Sequence, residues 1–178
     1  MSRNRYIGDY RIVESMDGRG RVRTEYEDIG LPWRFAEDRE AVRRGRGILA
    51  GCAAGGWAVY VAALALPSTA ARTLYAVLPL ALAALPLGLL TGLVWRLFRV
   101  AEPFEHRHAD QIENRGPAYT FFIALLGLVA AAGALVALAR GGAFTPGDGA
   151  FIGGGAALAG LGIMGHRQWK RLRCREVK

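Results

Sequence analysis

The length, composition and charge distribution of the chain exclude a water-soluble domain. Its 178 residues carry 23 basic and 15 acidic side chains, but four runs contain none of them: 47–71, 73–95, 116–139 and 149–165. A helix needs roughly 20 apolar residues to cross a ~30 Å hydrocarbon core at 1.5 Å per residue. Three runs are long enough and the fourth is at the lower limit. The sequence therefore predicts an all-α integral membrane protein with a four-helix transmembrane bundle.

A polar arm, 1–46, precedes the first apolar run, and its first half has the pattern of a β-hairpin over 6–29. Asp17-Gly18 is a strong two-residue turn signal. That turn would place Glu14 opposite Arg21 and Val13 opposite Val22, and a longer loop over 17–20 would shift this register. A two-stranded ribbon is only marginally stable alone. We therefore expect it to rest on the bundle, on a second copy or on a partner.

The second half of the arm predicts a juxtamembrane helix over 36–46 that continues into the first span. Acidic residues come first and basic residues last, an order that suits the helix dipole. Trp33 and Phe35 are expected to enter the membrane interface as an anchor. The first 46 residues are polar, so no cleaved signal peptide is expected, and the first span would act as a signal anchor.

The predicted spans are 47–66, 73–95, 118–139 and 149–165, separated by a middle segment, 96–117, and followed by a basic tail, 166–178. These three polar segments hold 21 of the 23 basic residues, whereas the short connections hold only Arg72 and Arg140. Basic residues near span ends stay on the cytoplasmic side. The pattern predicts that both termini are cytoplasmic. The short connections predict that spans one and two pair, as do spans three and four.

Aromatic residues near the span ends are expected at headgroup level, where amphipathic rings prefer to lie. They are Trp95, Tyr119, Phe121, Phe122 and Trp169. The tail has a net charge of +5 by its sequence, which makes it the candidate site for anionic lipid. Orientation by the positive-inside rule explains the same charges.

Small residues four apart occur in three spans and predict close helix packing. The pairs and triplets are Gly47/Gly51/Gly55, Gly88/Gly92, Gly149/Gly153 and Ala156/Gly160. We expect packing inside this chain, so that Gly51→Leu would lower thermal stability without changing assembly. The alternative is that one stripe forms a homo-oligomer.

The second span contains Pro79 and Pro86, which tend to kink a helix or, in transporters, to accompany a broken one. No Asp, Glu, Lys, Arg or His lies in the interior of a predicted span. Proton- or ion-coupled transport normally needs such groups. Trp57 is expected to fill space over Gly55 and Gly56.

The middle segment offers a stripe of Glu102, His106, Asp110 and Glu113 that could bind a divalent metal if it were one helix. A solvated charged face explains these residues equally. The two cysteines, Cys52 and Cys174, are expected to be free thiols. The sequence assigns no catalytic, cofactor-binding or metal-binding residue and no cofactor.

These observations predict a small multi-pass protein of a bacterial inner membrane. The bacterial source follows from the arginine bias, since Lys170 and Lys178 are the only lysines, and from abundant Ala and Gly. The favoured function is a non-catalytic interaction or accessory subunit with a cytoplasmic recognition face. The alternatives are an oligomeric channel or transporter subunit and an interfacial enzyme that uses His106 and His108 on lipid. Expected partners are the bilayer, a second copy or a membrane complex, and not nucleic acid.

Overall fold

A computed structural model describes residues 10–16, 22–28, 32–140 and 144–176. Its elements in chain order are β1 (Tyr10–Met16), β2 (Val22–Asp28), β3 (Trp33–Phe35), α1 (Arg39–Ala65), α2 (Leu74–Arg99), α3 (His106–Asp110), α4 (Gly116–Ala139), α5 (Pro146–Arg171) and β4 (Cys174–Glu176).

Four helical segments are long and apolar enough to cross a membrane, which confirms a multi-pass helical membrane protein. Three of them are α1, α2 and α5. The third segment in chain order, His108–Ala139, is longer than the predicted span. It combines the end of α3, a π-helical turn over Gln111–Arg115, and α4 without a break.

Two helix starts differ from the sequence prediction. The helix expected from residue 36 begins at Arg39, because the chain just before it forms β3. It then runs without a break into the first span. The fourth span was predicted from residue 149, but α5 begins at Pro146, where Thr145 and Asp148 form a capping box.

The bundle core runs along all four long helices, and its largest buried side chains include Leu49, Leu90, Ile123 and Phe151. Contact is most extensive between α4 and α5, followed by α2 with α4 and α1 with α5. Helices α1 and α2 have the least contact among these neighbours.

Glycines bring the backbones of α4 and α5 into direct contact. A Cβ atom added to Gly162 would lie 2.6 Å from the Ala124 nitrogen and 2.7 Å from the Thr120 oxygen. One added to Gly127 would lie 2.7 Å from the Gly155 oxygen. Residues without a side chain therefore set the helix spacing here.

The glycine stripes selected from the sequence lie elsewhere, and the expectation that they pack inside the chain is wrong for most of their members. A Cβ on Gly47, Gly51, Gly88, Gly92, Gly153 or Gly160 would meet nothing within 4 Å. Gly55 is the exception within its triplet, because an added Cβ would contact Leu161 at 3.5 Å. Spacing alone did not show which helix face meets a neighbour.

Strands β1 and β2 pair antiparallel, but in a different register from the predicted one. Met16 lies opposite Val22 and Val13 lies opposite Glu25, so the pairing of Val13 with Val22 is wrong. Glu14 lies opposite Thr24 rather than Arg21. The Asp17-Gly18 turn and Arg21 lie outside the described residues, and the complete hairpin over 6–29 stays a prediction.

Helix α2 passes through Pro79 and Pro86 as one continuous helix. One turn beyond Pro86, Thr91 Oγ1 accepts a hydrogen bond from Trp57 Nε1 at 3.0 Å. Trp57 therefore links α1 to α2, a contact that the sequence did not predict.

Trp169 is 1% exposed and packs on Gly116, where an added Cβ would overlap its ring. Its ring therefore contacts protein rather than lipid headgroups. Trp95, in contrast, is 61% exposed, with the Arg99 guanidinium 4.7 Å from its ring centre.

Candidate interaction surface

The three polar segments meet at one end of the bundle. Strand β3, from the arm, pairs antiparallel with β4, from the tail, so that Arg34 lies opposite Arg175. The arm also contacts the middle segment, because Trp33 and Phe104 exchange backbone hydrogen bonds of 2.9 and 3.0 Å. Three segments that are far apart in the sequence thus form one structure, which we call the junction.

Aromatic side chains close the junction from within. Phe35 is 3% exposed and Phe104 is 6% exposed, with 5.1 Å between their ring centres. Since Phe35 is buried in protein, its predicted role as a membrane-interface anchor is wrong. Trp33 also packs against the core rather than standing alone.

Arg46 connects the junction to the helices. Its guanidinium lies 5.5 Å from the centre of the Phe35 ring, and its Nη2 donates to the Val100 oxygen at 3.4 Å. Val100 directly follows α2. An arginine that the sequence assigned to membrane orientation therefore also holds the arm against the end of α2.

The middle segment binds the tail through Glu113, whose Oε1 accepts a hydrogen bond from the Cys174 backbone nitrogen at 3.0 Å. Burial, and then the charges of Glu113 and Glu102, raise the pKa of the Cys174 thiol to about 12. The thiol is therefore protonated at neutral pH and is a poor nucleophile.

The metal stripe proposed from the sequence does not form as one helix face. Glu102 lies before α3 rather than on it. Asp110 accepts from the Asn114 amide at 2.6 Å, while Glu113 holds the tail. Among the described side chains, no group of three or more His, Cys, Asp or Glu residues could hold a metal ion.

The described residues near this end line several grooves. One of them, about 480 Å³, lies between α1 and α5 and is lined by Arg44, Lys170, Arg171 and Arg173, together with Glu37, Gln168 and apolar residues. The second, about 360 Å³, follows the end of α2. The third, about 230 Å³, lies between α2 and the start of α4.

The second groove contains His108 and Glu105, beside Arg96 and Arg99. His108 is one of the two histidines that the sequence proposed for lipid chemistry. The His106 side chain lies outside the described residues. The enzymatic interpretation stays a prediction.

The opposite end of the bundle is closed by Asp148, which is fully buried in the first turn of α5. Its carboxylate accepts from the Ala70 nitrogen at 2.9 Å and from the Thr145 nitrogen and hydroxyl at 2.9 and 2.7 Å. One carboxylate thus ties the two short connections together. Its place after Thr145 and Pro146 is the sequence signal for a capping box.

No protein family, curated protein or solved structure matches this chain.

Proposed function

We propose that the protein is a non-catalytic accessory subunit of a bacterial inner membrane. Its four helices anchor the junction on the cytoplasmic side, and the junction presents the N-terminal hairpin to a protein partner. The proposal has three parts: an N-terminal hairpin, a cytoplasmic position of both termini, and an interaction with a protein partner.

The observation that carries the proposal is the pairing of β3 with β4 and of Trp33 with Phe104. A membrane anchor alone would not need its arm, middle segment and tail to pair with one another. Because β3 is fixed to the bundle end, the strands that precede it are attached a few residues from a rigid base. A recognition element needs such a base, because ordering a free segment costs free energy on binding.

The cytoplasmic orientation rests on charge. The arm, middle segment and tail hold 21 of the 23 basic residues, and basic residues stay on the cytoplasmic side. The groove lined by Arg44, Lys170, Arg171 and Arg173 supports anionic lipid at the tail, at about 1 kcal/mol for each basic residue near the surface.

The test is to replace residues 1–30 by a flexible Gly/Ser segment of the same length, which keeps β3 and the bundle. Co-purifying proteins are then compared with those of the full chain by quantitative mass spectrometry from native membranes. We expect a partner to be lost while the thermal midpoint and membrane insertion stay unchanged. An unchanged set of co-purifying proteins would contradict the proposal.

A second candidate is an oligomeric channel or transporter subunit. It is favoured by the outward glycines Gly47, Gly51, Gly88 and Gly92, which leave helix surfaces open to close approach by another helix. If such a face forms an oligomer, Gly51→Leu should lower the mass measured in mild detergent while the monomer stays folded. An unchanged mass would count against assembly through this face.

A further inference from the structure

The groove between α2 and α4 begins as an apolar furrow on the outer surface of the bundle. Gly88 and Gly92 line it one turn apart, and a Cβ added to either would meet nothing within 4 Å. Arg96 follows one further turn along the same face and lines the same groove. From Gly88 to Arg96 the furrow runs about 12 Å along the helix axis at 1.5 Å per residue.

The polar end of the furrow carries positive charge and no negative charge. Arg115, in the π-helical turn, faces the groove with Arg96, and no Asp or Glu is among the residues that line it. Neither guanidinium forms an ion pair with a carboxylate among the described side chains. Two arginines without counter-charges form a site for a phosphate group, which guanidinium binds in a bidentate manner.

A buried polar side chain also lines the groove. Gln111, at the start of the π-helical turn, is 7% exposed. Its amide makes no hydrogen bond within the described part of the chain, and its nitrogen and oxygen are not among the enclosed polar atoms that lack a partner there. The amide is therefore accessible from the groove and is free to donate to a ligand that lies in it.

We infer that this groove binds one anionic phospholipid from the leaflet that meets the junction. Arg96 and Arg115 hold the headgroup phosphate, Gln111 donates to a headgroup or ester oxygen, and an acyl chain lies in the furrow over Gly88 and Gly92. A lipid fits the groove because the apolar end of the groove and its charged end follow one another along α2, as the acyl chain and the headgroup of a lipid do across a leaflet. A water-soluble anion would use only the arginines and would leave the furrow empty.

The test measures binding of phosphatidylglycerol and of phosphatidylcholine with the same acyl chains by native mass spectrometry of the full chain. We expect the wild type to bind phosphatidylglycerol more tightly. At about fivefold for each basic residue near the surface, Arg96→Gln with Arg115→Gln should weaken phosphatidylglycerol binding roughly 25-fold. Gly92→Leu should weaken binding of both lipids, because its side chain fills the furrow.

Matched controls separate this site from general surface charge. Arg39→Gln with Arg43→Gln removes the same charge at exposed positions of α1 that line none of the three grooves, and Gly51→Leu adds the same bulk at another outward glycine. Both should leave the tightest phosphatidylglycerol site within about twofold of wild type. The proposal is overturned if the control charge variant weakens phosphatidylglycerol binding as much as the Arg96 and Arg115 variant does. It is also overturned if Gly92→Leu binds lipid like the wild type, or if inorganic phosphate at millimolar concentration displaces the lipid.

Discussion

The α4–α5 contact predicts a large difference between two identical substitutions, Gly162→Ala and Gly51→Ala. At Gly162 the new Cβ would lie 2.6 Å from the Ala124 nitrogen, whereas at Gly51 it would meet nothing within 4 Å. An ordinary van der Waals contact begins at 3.4 Å, so the two helices would have to separate by about 0.8 Å at Gly162. A gap of roughly 0.5–1 Å loses a quarter to a half of the energy of each dispersion contact between the helices. Overpacking of this kind costs about 1–3 kcal/mol.

Both variants replace glycine by alanine in a helix, so the gain in helix propensity is the same for both and cancels in the comparison. We therefore expect Gly162→Ala to be less stable than Gly51→Ala by about 1–3 kcal/mol. The assay is equilibrium unfolding in mixed detergent micelles, followed by tryptophan fluorescence. Equal stabilities, within about 0.5 kcal/mol, would refute the packing that the structure shows.

Two further predictions concern the two ends of the bundle. In a Cys52→Ala background, iodoacetamide should alkylate Cys174 at pH 8 about a thousandfold more slowly in the folded than in the unfolded chain. The thiolate is the reactive form, and burial raises the pKa of the folded thiol to about 12. Glu113→Gln should speed the alkylation, because the charge of Glu113 helps to raise the pKa of the thiol. The free energy of unfolding should fall as the pH rises from 9 to 12, because in this range the Cys174 thiol ionises in the unfolded chain but not in the folded one. At the other end, Asp148→Asn should lower the thermal midpoint by several degrees, since the Asp148 carboxylate joins both short connections. The control Asp110→Asn should change the midpoint little. Equal midpoints for the two variants would contradict this role of Asp148.

The sequence predicted the four membrane helices because membrane spanning depends on the composition of a whole segment. It did not predict which faces pack. Gly47 and Gly51 have the spacing of a packing motif but lie outward, whereas Gly162 meets the α4 backbone. Local spacing is the same for an inward and an outward face, and only the position of the neighbouring helix distinguishes them.

The junction was beyond sequence reasoning for a different reason. Its strands have three residues each, too few for an alternating pattern, and they pair across about 140 residues. Trp33 and Phe35 looked like interface anchors because a membrane surface and a protein core both accept aromatic rings. The groove residues Gln111 and Arg115 lay within a segment that was expected to be polar connection, but the helix begins earlier and includes them.

The most direct test of the account is disulfide trapping between β3 and β4 in membranes, because the proposed function depends on their pairing. Arg34 and Arg175 lie opposite each other, and facing residues of antiparallel strands fall within the Cα separation that a disulfide spans. In a background without Cys52 and Cys174, Arg34→Cys with Arg175→Cys should form an intramolecular disulfide on mild oxidation. Arg34→Cys with Arg72→Cys, at the other end of the bundle, should not. Failure of the first pair to cross-link, while both thiols react with maleimide, would contradict the junction.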